Sequence, residues 1–185
     1  FSIFGLLVIF TIMKKIVNKK VFYYKDELND EFSGITRNTI VVDKNYKYIR
    51  KNVFYKFIAF VVYRIIAMPF AYVYMKAKFH IKVENKQVLR WAKKESYFMY
   101  GNHTQIPGDG FIPNILNYPK HNAVVVNADN VSLPGTQTLM MMLGAVPLPN
   151  DFSGMRNFLD CISHNVKAKK SIVIYPEAHI WPYYT

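Results

Sequence analysis

The chain has 185 residues and a single cysteine, Cys161, so it can form no internal disulfide and nothing in it points to an oxidising compartment. A cytoplasmic setting is the expectation. Acids are scarce as well, with 12 Asp and Glu against 24 Lys and Arg. The shortage is local: from Lys44 to Lys94 thirteen Lys and Arg face one acid, Glu84, an excess equal to the +12 of the whole chain, and elsewhere the two signs cancel. No internal repeat and no low-complexity tract is present. The opening apolar run is also short. Phe1 to Met13 reaches only about 20 Å as a helix, below the roughly 30 Å of a hydrocarbon core. It reads as an interfacial anchor, with the tail of a spanning helix or a signal-like segment as alternatives, because the chain opens with Phe rather than Met.

What is present is apolar and aromatic surface. Hydrophobic residues make up 51% and aromatics 16%, which excludes a disordered chain and leaves enough material for one domain with a proper core. The basic window implies a polyanionic partner. It also contains Phe57-Ile58-Ala59-Phe60-Val61-Val62-Tyr63, more aliphatic surface than a nucleic-acid groove accommodates, and no recognisable reading module. An anionic membrane surface fits it and nucleic acid does not. Val53 to Met75 is long enough to span, but it carries Lys56, Arg64 and Pro69. A charge near the centre of a span costs roughly 2.5 to 3.5 kcal/mol. The stretch therefore reads as a helix, or a pair broken at Pro69, lying in the interface.

Three parts are expected: 1–44, a hydrophobic segment and polar connector; 45–77, a basic, aromatic helical region that associates with membrane; 78–185, an α/β domain. Lys25 to Phe32 reads as a short helix. Phe79 to Val83 alternates like a strand and Gln87 to Lys94 reads as a helix. Further strands are expected at 97–100, 123–126, 145–148 and 171–175, with helices from Asp109 to about Leu116, Pro134 to Leu143 and Gly154 to Asn165. Short apolar strands alternating with helices imply a mainly parallel sheet flanked by helices on both faces. Such sheets bind ligands where loops leave the carboxyl ends of strands. Two polar clusters sit there, Asn102-His103 and Glu177-Ala178-His179.

A histidine acts as a base when a partner on its other ring nitrogen fixes the tautomer, and an aspartate supplies that. His103 and Asp109 are six apart, so one helix would not place them on a common face; the pairing needs the loop between them. The alternative is a histidine closing a turn and an aspartate capping a helix. Glu177 and His179 could also join His103 and Asp109 as ligands of a hydrolytic metal, a scattered set without a distinctive spacing. His80, His121 and His164 read as surface or satisfied histidines. Cys161, at helical spacing from Phe158, reads as core. Met140-Met141-Met142 reads as packing or as an adaptable apolar lining, and Trp181-Pro182-Tyr183-Tyr184 as an interfacial aromatic cluster.

The segment from Tyr100 to Asp109 resembles the first motif of the glycerophospholipid acyltransferases, the family containing 1-acylglycerol-3-phosphate acyltransferase: Asn-His, four residues, then Asp. Tyr175-Pro176-Glu177-Ala178 resembles that family's Phe-Pro-Glu-Gly-Thr-Arg motif. The resemblance covers roughly residues 50–185 and implies an α/β domain preceded by a hydrophobic or amphipathic helical element. It implies a membrane-associated O-acyltransferase on the cytoplasmic face, moving a fatty acyl group from acyl-CoA or acyl carrier protein to a lysophospholipid-type hydroxyl. No cofactor and no metal is implied. His103 would be the general base and Asp109 its partner, with Asn102, Thr104, Gly108, Glu177 and Arg156 as substrate-binding candidates. There are departures. Five residues separate His103 from Asp109. Ala178-His179-Ile180 stands in place of Gly-Thr-Arg, so the phosphate-binding arginine is missing there, and Gly144 to Pro149 is an arginine-free counterpart of the intermediate motif. Arg156 is the substitute cation, with a solvated helix position as its alternative. The fourth motif would lie beyond Thr185. The competing expectation is a catalytically inactive lipid-binding homologue of the same fold.

Overall fold

The structure, a computed structural model, describes residues 23, 25–26, 40–104, 108–132 and 135–177. The chain divides into two compact units, Phe1–Phe32 and Ser33–Thr185. Nearly all of the first lies outside the described residues, as do His179, the aromatic cluster at 181–184 and most of the helix expected at 25–32.

In the second unit four short strands, β1 (Phe98–Tyr100), β2 (Asn122–Val126), β3 (Ala145–Pro147) and β4 (Ser171–Ile174), form one sheet in the order β1-β4-β2-β3. Every pairing is parallel. The helices are α1 (Val53–Phe79), α2 (Gly108–Asn117), α3 (Gln137–Met142) and α4 (Met155–Lys167). Side chains alternate across a strand, and β2 shows what that does here. Asn122 turns to α2, where Asn117 donates to it at 2.6 Å and it donates to Asn114 at 3.1 Å. Ala123, one residue on, packs with Phe158 and Cys161 of α4 and with Ile172. Both faces are covered, as the run of apolar strands predicts.

The expected strand at 79–83 does not form. Phe79 closes α1, and His80 adopts a left-handed conformation (φ 49°) that ends the helix. The helix expected from Gln87 is instead a 3₁₀ stretch, Lys86–Lys94. Residues 45–52 are not helical; α1 begins at Val53, where the Asn52 side chain accepts from Phe54 N (2.8 Å) and Tyr55 N (3.2 Å). Such a cap satisfies two of the amides that have no partner within the helix.

Nor does α1 break at Pro69. A π turn, Val62–Ala67, precedes it, with Met68 N–H bonded to Tyr63 C=O, and Pro69 lies at the start of the next α-helical stretch, Met68–Phe79. The extra residue has a packing consequence. Tyr63, Met68, Ala71 and Met75 are all buried against Ile115 of α2, and the five-residue step from Tyr63 to Met68 keeps one face through the turn. Much of the rest of α1 is exposed: Phe54, Phe57 and Phe70 are 71%, 63% and 62% exposed. By length and composition this helix is able to cross a membrane.

Candidate active site

The register Tyr100↔Ile174 of the adjacent strands β1 and β4 sets how the two loops beyond them meet. His103 comes three residues after Tyr100, and Glu177 three residues after Ile174. Equal offsets from a parallel pair leave them side by side, and His103 N–H donates to Glu177 Oε2 at 2.8 Å. Glu177 therefore holds the backbone of the histidine loop.

Asp109 arrives from the other direction. It sits in the first turn of α2, where a carboxylate is favoured by the helix dipole. Its Oδ2 lies 2.7 Å from His103 Nδ1, with side-chain exposures of 10% and 20%. The contact is made despite the additional residue between the two. A carboxylate only accepts, so a neutral imidazole here carries its proton on Nδ1 and leaves the Nε2 lone pair free.

Tyr175 links the parts. Pro113, four residues after Asp109, has no N–H to donate to the Asp109 carbonyl. The Tyr175 hydroxyl donates to that oxygen at 2.6 Å. Burial, and secondarily the Asp109 charge, pushes the Tyr175 hydroxyl well above the ordinary tyrosine range, so it stays a donor. Its ring stacks on His103 with centroids 5.0 Å apart and planes at 25°. A Cβ on Gly101 would lie 3.1 Å from Tyr175 Cε1, so glycine is what admits the ring. Sequence reasoning noted Tyr175 only as the first residue of the Tyr175-Pro176-Glu177-Ala178 piece and gave no role to Tyr175, Gly101 or Pro113. A readable signal was available in Pro113, whose place four residues after an aspartate removes the carbonyl's helical donor.

The remaining candidates lie around this couple or further along the same edge. Asn102 is exposed and Thr104 half-buried beside His103, and Gly108 is buried at the start of α2. Arg156 is exposed in the first turn of α4, the helix beyond the carboxyl end of β3. It shares an edge of the sheet with His103, but no described contact joins it to His103, Asp109 or Glu177. Among the described residues no three His, Cys, Asp or Glu side chains cluster as a metal site. Cys161 is core, its thiol pushed up to about 11 chiefly by burial. His121 is largely enclosed, packed against Tyr63 with centroids 4.0 Å apart and planes tilted by 34°.

The fold and the site define an α/β domain with a histidine–carboxylate couple at the carboxyl edge of a parallel sheet, a layout suited to proton transfer. Compared with models of protein families, residues 80–183 match the one described as Acyltransferase. That stretch is more than half of the chain, and the chain belongs to the acyltransferase family. No curated protein and no solved structure matches it.

Proposed function

We propose that the chain transfers a fatty acyl group from a thioester, acyl-CoA or acyl carrier protein, to the hydroxyl of a lysophospholipid-type acceptor at the cytoplasmic face of a membrane. The observation that carries this reading is the 2.7 Å approach of His103 Nδ1 to Asp109 Oδ2. With Nδ1 protonated, Nε2 takes the proton of the acceptor hydroxyl as its oxygen bonds to the thioester carbonyl carbon. The intermediate then collapses with loss of the C–S bond, and the thiolate departs and recovers the proton from His103. No covalent enzyme intermediate and no cofactor is needed.

Backbone amides near Gly108 and Gly110, at the start of α2, are the donors for the developing oxyanion in this reading. A side chain at Gly110 would meet nothing within 4 Å, so there is room beside them. Asn102, Thr104 and Gly108 border the same loop, and Arg156 is the cation available on this edge for an acceptor phosphate. The exposed aromatics of α1, among the Lys and Arg of the basic window, support the membrane setting. One face of α1 is occupied by α2, which favours a helix lying along the interface.

The test is transfer from a labelled acyl thioester to a panel of lysophospholipids in detergent, wild type against His103→Ala. The expected loss is about 10²- to 10⁴-fold, the range of a removed general base. Near-normal transfer by His103→Ala would sink the mechanism. The arginine-free segment Ala178-His179-Ile180 favours the second reading, an inactive lipid-binding homologue. No product from the folded wild type, with anionic vesicles still bound, would establish that one.

A further inference from the structure

At the opposite, amino edge of the sheet lies an open cleft of about 780 Å³, between the first half of α1 and the starts of β2, β3 and β4. Arg50, Lys51, Lys56, Arg64 and Lys170 contribute to its lining, and no Asp or Glu does. Its floor includes Asn122, Ala123, Gly144 and Ala145. Lys170 is only partly exposed, and burial lowers its pKa, so holding an ammonium there, away from water and without a carboxylate in the lining, is costly. Arg64 has its guanidinium carbon 5.4 Å from the Phe60 ring centroid and 5.8 Å from that of Tyr118. It is steered by aromatic rings rather than by an acid. Five cations converging on a concave surface without a counter-charge are complementary to an anion.

The wall of the cleft indicates which anion. Phe60 lines the cleft and is exposed, and Phe54 and Phe57, outside the lining, are exposed further back on the same helix α1 that supplies Lys56 and Arg64. An occupant that satisfies both surfaces has a phosphate for the cations and acyl chains for the aromatics. We infer that this cleft holds the headgroup phosphate of an anionic membrane phospholipid, a site separate from the His103–Asp109 couple. α1 connects the two edges. Near its middle Tyr63 meets His121 at the amino edge, and further on Tyr74 meets Phe111, in the first half of α2, with centroids 6.5 Å apart. A lipid seated in the cleft would therefore fix how α1 and the catalytic edge rest on a membrane. The inference rests on the membrane reading of α1 but not on acyl transfer.

The test uses a monomeric probe, dihexanoylphosphatidic acid below its micellar concentration, so that a general surface potential plays no part. Titration calorimetry compares the wild type with Lys56→Gln/Lys170→Gln and with Lys93→Gln/Lys94→Gln, which removes the same charge from the exposed 3₁₀ stretch outside the cleft. Saturable binding is expected, weakened about tenfold or more by the first pair and less than about threefold by the second. The His121 ring signals of the wild type should shift on binding, because His121 lines the cleft. Lys51→Gln/Lys56→Gln, both on the rim, repeats the comparison should Lys170→Gln unfold the protein. Equal weakening by the cleft and control pairs, or no saturable binding, overturns the site. Inorganic phosphate binding as tightly as the lipid overturns a membrane source. Acyl transfer is not read, so a failure here is distinct from a failure of the proposed reaction.

Discussion

At the carboxyl edge of the sheet, His103 has a ring nitrogen 2.7 Å from a carboxylate and a backbone amide held by a second one. At the amino edge, His121 has its Nδ1 2.8 Å from the Asn122 carbonyl and its Nε2 3.4 Å from the Met142 carbonyl. Burial first, and then the neighbouring Lys170, lowers its pKa to about 4. One ring is oriented by negative charge on a reachable edge. The other is kept neutral between uncharged acceptors under α1. The two histidines come from similar local sequence, each in the loop before or after an apolar strand, and only the partners brought by distant segments separate them. A histidine's chemistry here is set by what faces it across the fold.

Replacing the carboxylate is the sharpest way to break this contrast, after His103→Ala itself. In Asp109→Asn the amide has a donor as well as an acceptor, so it no longer dictates which ring nitrogen of His103 carries the proton. Acyl transfer should fall by on the order of 10²-fold with the fold retained, measured as kcat alongside the far-ultraviolet circular dichroism spectrum. Activity within about threefold of wild type would mean that the pair is a structural cap, the alternative the sequence left open.

His121 predicts a pH effect on stability rather than on chemistry. Its folded pKa lies near 4 and its ordinary value is 6.5, so between those values the unfolded chain binds a proton that the folded chain refuses. The contribution is complete above about 6.5 and declines as pH falls toward about 4, by up to roughly 3 kcal/mol. Urea unfolding at pH 7 and pH 5 should show the loss. In His121→Gln the difference between the two pH values should shrink by about 2 kcal/mol, the share of one titration over that interval. An unchanged difference would mean that other groups, not His121, set the acid sensitivity of this edge.

Much of the carboxyl edge was legible in the sequence, because it depends on local signals. The apolar runs at 97–100, 123–126 and 171–175 mark strands; Gly101-Asn102 and Pro176 end two of them; and the Asn-His and Pro-Glu pieces fall just beyond. The helix interior was harder to read. In the π turn at Val62–Ala67 Tyr63 donates to Asn114 on α2 at 2.9 Å, a tertiary contact that no local period encodes. The 79–83 segment alternates like a strand, yet α1 runs on through Phe79 and the left-handed His80 then turns the chain. The cleft was invisible for a related reason. Lys56 and Lys170 are far apart in the chain, and a charge count shows that cations are in excess without showing where they converge.

The smallest expected effects concern Tyr175, which sharpens the contrast by asking how the His103 edge is held. Tyr175→Phe keeps the ring that stacks on His103 but removes the hydroxyl that donates to the Asp109 carbonyl at 2.6 Å. Thermal or urea unfolding should register a loss of about 1 kcal/mol, the usual net worth of such a bond. Activity should drop only a few-fold, in kcat more than in KM, because the Asp109 backbone loosens while the substrate contacts stay. Gly101→Ala makes the complementary change. Its methyl would sit 3.1 Å from Tyr175 Cε1, so the ring must move by a few tenths of an ångström against His103. If the aromatic support orients the base, Gly101→Ala should lower kcat at least as much as Tyr175→Phe at a similar stability. Should both variants lose stability and keep kcat, Tyr175 is a structural strut alone, and the Asp109 carboxylate suffices to orient His103.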